Sequence, residues 1–415
     1  MLSDIEVHID FASGLKRVGT LHRQARRGDE ATSFEYHPDW LGNEARFSLE
    51  PALTLNRGAF APAGGAAIFG SIGDSAPDTW GRRLMQRVER RRAERECRPP
   101  RTLTELDYLL GVSDISRVGA LRFRRSGEQE FQSPAAAGVP GLIELGRLLQ
   151  VTERILRDEE TDEDLQMIFA PGSSLGGARP KASVIDQHGR LAIAKFPKET
   201  DDYGVELWEA AALHLAARSG IRTPDSELIR VARKPVLLSR RFDREGRTRI
   251  PFLSALSMMG LKDGERGSYP EIVDVLTQHG SRAAADAHEL YRRMVFNILV
   301  SNVDDHLRNH GFLWTGRGGW ALSPVYDLNP TPVDVRRRIL TTNINLDEGT
   351  CDLDIALSAA EYFKLRISEA KTIITQVAAV TATWRNVAAA LGASPSEIRR
   401  MESAFEHDDL RRALV

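Results

Sequence analysis

The stretch NVDDHLRNHGF, residues 302–312, crowds acids, amides and histidines into one short segment. An apolar, helix-like run (LYRRMVFNILV, 290–300) leads into it, and a strand-like GFLW (311–314) follows. A buried helix that ends in so many polar groups either closes on a solvated turn or brings those groups to a ligand. The surrounding sequence separates the two.

Asp304 precedes Asn309 by five positions. The same interval separates the catalytic aspartate and the metal-binding asparagine in the H-R-D-x-x-x-x-N loop of protein kinases. Asp305 does not have that spacing, so Asp304 is assigned as the base and Asp305 as its neighbour. Downstream, LSPVYDLNP reads as an apolar strand ending in Asp327, where the kinase D-F-G aspartate would hold magnesium. An amide oxygen and a carboxylate both suit a hard cation, so Asn309 and Asp327 are the expected metal ligands. His306 is expected to orient the loop rather than do chemistry, and His310 is expected to be solvated.

Upstream lie the other parts that phosphoryl transfer from ATP requires. SSLGGARPK ends a polar stretch in a glycine turn. Gly176 and Gly177 let backbone approach a phosphate without a Cβ clash, and the amides of such a turn can form an anion nest. LAIAKFP is an apolar strand ending in Lys195, a residue costly to bury unless paired. Glu206 and Glu209 head the next helix and could pair with it. Alone, the glycines read more readily as an ordinary turn, and Lys195 equally as a strand-end lysine reaching solvent.

The chain has 415 residues, 42% hydrophobic and 27% charged, with a formal net charge of -2. That balance is ordinary for a globular protein and excludes polyanion binding by bulk charge. Two cysteines, Cys97 and Cys351, make neither a disulfide scaffold nor a zinc-finger spacing. The N-terminus MLSDIEVHIDF has no apolar h-region, and no apolar run approaches the roughly 20 residues of a membrane span. The expectation is a cytoplasmic protein without a membrane partner. Eight lysines stand against 48 arginines. The arginine run 82–101 therefore reads either as a solvated helix face or as a contact for DNA phosphate or a partner.

Three parts are expected. Residues 1–145 form a β-rich unit, with strands at IEVHIDF, VGTLHR, ATSFEYH and ARFSLEP and a helix through the arginines capped by Asp74 or Ser75. Residues 146–255 carry the glycine turn, two strands reversing at DQHG, an amphipathic helix closed by Gly220, and two more strands. Residues 256–415 are mainly helical. VDVRRRIL (333–340) reads equally as substrate-recognising or structural.

These motifs resemble the HipA family of bacterial serine/threonine kinases, toxins of type II toxin–antitoxin pairs. DSAPDTWGRRLM and LLGVSDISRVGALRF look like its N-terminal domain, GGARPKA its phosphate loop, VDDHLRN its catalytic loop and LSPVYDL its metal motif. The resemblance implies an α+β fold, a β-rich domain followed by a two-lobed protein-kinase-like domain with a helical C-lobe. It implies ATP and Mg2+ as cofactors. Ser174, Gly176, Gly177, Ala178 and Lys181 would lie in the phosphate loop, Lys195 on the phosphates with Glu206 nearby, and Arg240 to Phe242 at the adenine hinge. Ser174 corresponds to the autophosphorylated loop serine, with Ser173 adjacent. The implied partners are a helix-turn-helix, HipB-like antitoxin, operator DNA through it, and a protein substrate such as an aminoacyl-tRNA synthetase. PFLSALSMMGLKDG departs from the family near the protein-substrate side. A small-molecule kinase, or a pseudokinase co-repressor, remains open beside this reading.

Overall fold

The computed structural model describes residues 4–11, 13–25, 30–77, 79–132, 138–172, 177–316 and 318–415. The chain divides into two compact units that interleave in sequence. One comprises 1–199, 231–234 and 238–253; the other comprises 200–230, 235–237 and 254–415.

The first unit opens with strands β1 (Ile5–Phe11), β2 (Gly14–Ala25), β3 (Glu30–Tyr36), β4 (Ala59–Phe60) and β5 (Leu121–Arg125), ordered β4-β3-β2-β1-β5. Every pairing is antiparallel, and Ile5, Val7 and Ile9 of β1 are all buried. ARFSLEP is not a strand. Phe47 and Leu49 are buried there in irregular chain, and the Leu49 amide donates to the Tyr36 hydroxyl at 3.2 Å. The alternation of apolar residues was real, but an aromatic cluster uses it (Trp40 and Phe47, ring centroids 5.7 Å apart) rather than a sheet.

Helix α1 (Thr79–Arg95) carries the arginine run, with Trp80, Leu84, Met85 and Ala93 buried. Asp74 and Ser75 do not cap it: Asp74 closes a preceding single turn, Gly70–Gly73. Many of the run's arginines are matched by acids, including Arg82 with Glu105 and Arg87 with Glu160 and Asp158 in the helix, and Arg98 with Glu89 and Arg101 with Asp107 just beyond it. Helices α2 (Glu105–Gly111), α3 (Leu145–Leu156) and α4 (Asp162–Gly172) follow. Strands β6 (Lys181–Ile185) and β7 (Leu191–Lys195) form the expected hairpin, reversing where Asp186 accepts from the His188 and Arg190 amides at 2.8 Å each. With β8 (Ser226–Val231) and β9 (Lys234–Arg240) they form a sheet ordered β6-β7-β9-β8.

The motif DISRVGAL is explained by buried charge. Arg117, with no exposed surface, donates to the carbonyls of Ser75, Leu109 and Val112 at 2.8–3.1 Å and stacks over Phe123. Gly119 donates to Asp243 Oδ2 at 2.7 Å and has φ +74. Arg241 and Arg244 both pair with Asp243, and Arg241 also donates to the Ser116 and Arg117 carbonyls.

The second unit is mainly helical. Its α5 (Val205–Arg218) ends before Gly220 (φ +78), as expected, but it is buried over most of its faces rather than amphipathic. Ten of its residues are buried, Glu206 and Glu209 among them. Helix α6 (Tyr269–His279) begins at a Ser268 capping box, and α7 (Ala283–Val300) is the run that leads into the polar stretch. After it come strands β10 (Gly311–Trp314) and β11 (Trp320–Leu322), paired antiparallel, and helices α8 (Ile367–Thr381), α9 (Trp384–Ala390), α10 (Pro395–Arg400) and α11 (Asp408–Ala413).

Candidate functional site

Helix α7 stops at Ser301, whose φ of 53 is left-handed. A non-glycine residue is strained in that conformation, so it persists only where neighbours hold it. Here the Ser301 hydroxyl donates to the Ala404 carbonyl at 2.7 Å. Arg338 donates to Ser301 Oγ at 3.1 Å and to the Ile298 carbonyl at 3.0 Å, and it pairs with Asp409 at 2.8 Å. A cation on the last carbonyls of a helix also complements the helix dipole. Arg338 is thus structural, because it fixes where the polar loop begins.

The loop then splits its two acids. Asp304 is exposed, and among the described residues its carboxylate meets Arg336 alone, at 2.8 Å. Asn309 donates its amide nitrogen to the Asp304 carbonyl at 2.8 Å, which leaves its amide oxygen for another partner. Asp305 is buried. Its Oδ2 accepts from the Tyr269 hydroxyl at 2.7 Å, and its Oδ1 from the Thr341 amide at 2.8 Å. Burial pushes its carboxyl up to about 7, and these hydrogen bonds offset only part of that.

From Asp305 a hydrogen-bonded chain runs to Asp327. Asn297 donates to the Tyr269 hydroxyl at 2.9 Å, and Asn302 donates to Asn297 Oδ1 at 3.0 Å. The Asn329 amide donates to Asn302 Oδ1 at 2.9 Å, and Asn329 Nδ2 donates to Asp327 Oδ1 at 3.3 Å. Asn302, Asp305, Asn309, His310 and Tyr326 line one small pocket, with room for about one water molecule. Asp327 does not end a strand. Strand β11 stops at Leu322, and Asp327 sits in irregular chain with φ 59. Aspartate tolerates this conformation better than most residues. His310 is not solvated. It is buried against Tyr269 (centroids 5.2 Å apart) and donates to the Asp305 carbonyl at 3.1 Å. Burial pushes it down to about 3, so it is neutral at pH 7. His306 sits at the start of a 3-10 turn, where its carbonyl accepts from the Asn309 amide at 2.7 Å.

The glycine turn and Lys195 belong to the first unit. Ser173, Ser174 and Gly176 lie outside the described residues. Gly177 has φ +87, and its carbonyl accepts from the Trp80 amide at 3.2 Å. Trp80 Nε1 donates to the Lys181 carbonyl at 3.0 Å, so the tryptophan of DTWGRRLM holds the end of this turn at two points. Ala178 is exposed. Lys181 and Lys195 face each other directly across the β6–β7 pair and are only 4% and 8% exposed. Cross-strand partners lie about 5 Å apart at Cβ, so two buried ammonium groups there call for negative charge. Arg240 ends β9, and Phe242 packs near Phe252 with centroids 6.4 Å apart.

Trp80, Tyr269, Asn297, Asn302, Asn329 and Arg336 escaped the sequence reading. Asn302, two positions before Asp304, and Asn329, two positions beyond Asp327, carried a local signal. Tyr269 and Arg336 come to the polar loop from more than 30 positions away in the chain.

Residues 11–124 match the HipA N-terminal domain and residues 173–384 the HipA-like C-terminal domain. The second match alone spans just over half of the chain, which belongs to the HipA family. A protein of Haemophilus influenzae named as a candidate kinase is 26% identical over 180 residues, 38% of this chain and 52% of the relative. A similarly named protein of Sinorhizobium fredii is 32% identical over 154 residues, 34% of this chain and 37% of the relative. The chain thus spans about half the length, or less, of these curated relatives. The solved structure of HipA from Shewanella oneidensis MR-1, in a toxin–antitoxin complex with HipB and operator DNA, aligns with a TM-score of 0.68. It covers 99% of this chain and 96% of that one at 16% identity, so the fold is shared.

Proposed function

We propose that this protein is a Mg-ATP-dependent serine/threonine protein kinase and growth-arresting toxin, restrained by a HipB-like helix-turn-helix antitoxin that carries it to operator DNA. The observation that carries the reading is the separation of roles in the polar loop: an exposed carboxylate at Asp304, an amide oxygen at Asn309 left for a cation, and a hydrogen-bonded chain reaching Asp327. An amide oxygen and an oriented carboxylate fit magnesium. Magnesium, when bound with ATP, would neutralise charge on the phosphates.

In this reading Lys181 and Lys195 supply positive charge to the phosphates, and the backbone at Gly177 approaches them. Asp304 takes the proton of the acceptor hydroxyl as its oxygen bonds to the γ-phosphorus, while the bond from that phosphorus to the bridging oxygen breaks and ADP leaves. Four exposed large hydrophobics, Val333, Val335, Ile339 and Leu346, lie on the segment that brings Arg336 to Asp304. An apolar segment there fits a polypeptide acceptor, such as a translation enzyme, better than a small hydroxyl compound. Acid-matched arginines on and just beyond α1, such as Arg82, Arg87 and Arg98, fit DNA contact made through an antitoxin rather than directly.

Labelled-phosphate transfer is the test. Asp304→Ala should keep nucleotide binding and lose transfer, whereas Asp327→Ala should weaken Mg-ATP binding itself. Wild-type behaviour of both variants would reject the assignment. Peptide mapping after incubation with ATP should place autophosphorylation on Ser174, with Ser173 second.

A further inference from the structure

We infer that Arg336 is a positioning residue for the base Asp304. The inference rests on the kinase reading. Arg336 Nη1 donates to Asp304 Oδ1 at 2.8 Å, with the two side chains 47% and 53% exposed. An ion pair this exposed adds little to folding stability. Yet the arginine is held from more than one side. Its Nη2 donates to Thr341 Oγ1 at 3.2 Å. The Thr341 hydroxyl donates to the Val303 carbonyl at 2.9 Å, and the Thr341 amide to Asp305 Oδ1 at 2.8 Å. One threonine therefore binds the residues on both sides of Asp304 and also locates the guanidinium that meets it.

The consequence for chemistry is directional. Arg336 occupies Oδ1, and among the described residues no group bonds Oδ2. A carboxylate pinned at one oxygen presents the other in a fixed direction, where an acceptor hydroxyl must arrive. The planar guanidinium suits this role because Nη1 and Nη2 diverge at a set angle to two different partners. The neighbouring arginines act elsewhere. Arg338 is half-buried on the end of α7, and Arg337 is exposed with no ion pair among the described residues. Within RRR, only Arg336 contacts the base.

The test uses the purified full chain with labelled Mg-ATP under single-turnover conditions, reading transfer to the chain itself. Arg336→Ala should lower the transfer rate roughly tenfold or more, as expected when a reacting group loses its orientation. The ATP concentration for half-maximal rate should stay within about twofold of wild type, because ATP binding does not use this residue. The melting temperature should not change. Arg336→Lys, and Arg336→Ala supplied with methylguanidine, should each recover part of the rate. The inference is overturned if Arg336→Ala transfers at the wild-type rate while wild type is active. It is also overturned if the rate falls only together with ATP affinity or melting temperature, or if neither lysine nor methylguanidine restores any rate. A wild-type chain that transfers no phosphate overturns the kinase reading, and this inference with it.

Discussion

Asp304 and Asp305 are adjacent in sequence and opposite in setting, one exposed and one buried. For Asp305, burial raises the folded-state value to about 7, against about 3.9 for an unfolded aspartate. Between those values the native state holds a proton that the unfolded chain has released. The stability this contributes is complete below pH of about 4 and lost as pH rises through about 7. Asp305→Asn cannot titrate, so its melting temperature relative to wild type should improve from pH 5 to pH 8. An unchanged difference across that range would contradict the burial argument. His310 has the opposite sign. Its folded value falls to about 3, against about 6.5 unfolded, so stability is lost as pH drops below 6.5 toward 3. Asn329 offers a test of the proposed magnesium ligand Asp327. Its Nδ2 donates to Asp327, so under the kinase reading Asn329→Ala should raise the magnesium concentration needed for half-maximal transfer while the protein stays folded. An unchanged magnesium dependence would remove Asn329 from the site.

At the scale of elements, two motifs of the N-terminal part act as braces. Trp80, at the head of α1, bonds both Gly177 and Lys181, so a helix from one part of the chain fixes the turn and strand that begin another. Trp80→Phe keeps the ring but removes the indole donor. It should cost about 1 kcal/mol through the lost buried hydrogen bond, read by urea denaturation. Under the kinase reading it should also weaken ATP binding. Gly119 is the second case. Its φ is +74, and a Cβ there would stand 3.2 Å from the Phe252 amide nitrogen. Gly119→Ala should destabilise by about 1–3 kcal/mol through strain and crowding. A neutral result in the same denaturation experiment would mean that the β5 approach can shift.

For the molecule as a whole, the net charge of -2 hides an unequal internal distribution. Arg117, Arg241 and Arg249 are buried in the first unit with Asp243 and Asp114, and Arg244 is partly so. Burial pushes Arg117 down to about 9 and Arg244 to about 10. Burial also works against the charged form of Asp243, yet the Arg241 and Arg244 guanidiniums hold its carboxyl well below the usual range. Removing one partner of such a group leaves buried charge uncompensated. Asp243→Ala should therefore cost about 3–5 kcal/mol. Asp39→Ala, an exposed acid, should change stability by less than about 0.5 kcal/mol. Equal effects in denaturant titrations would show that the cluster is not a stability centre.

The sequence by itself determined what depends on spacing and local pattern. The five-residue interval from Asp304 to Asn309, the β6–β7 hairpin with its DQHG reversal, the lysine closing β7 and the glycine after α5 were all legible, because each is set by residues within a few positions. What only the tertiary structure decided involves partners far apart in sequence. ARFSLEP was taken from a sheet by an aromatic cluster. His310 was buried against Tyr269, Asp304 and Asp305 were sent to solvent and core, and Arg336 was brought 32 positions back to Asp304. A solvated and a buried polar residue look the same in sequence. The difference lies in whether distant groups arrive to satisfy it, and burial without such partners is too costly to persist.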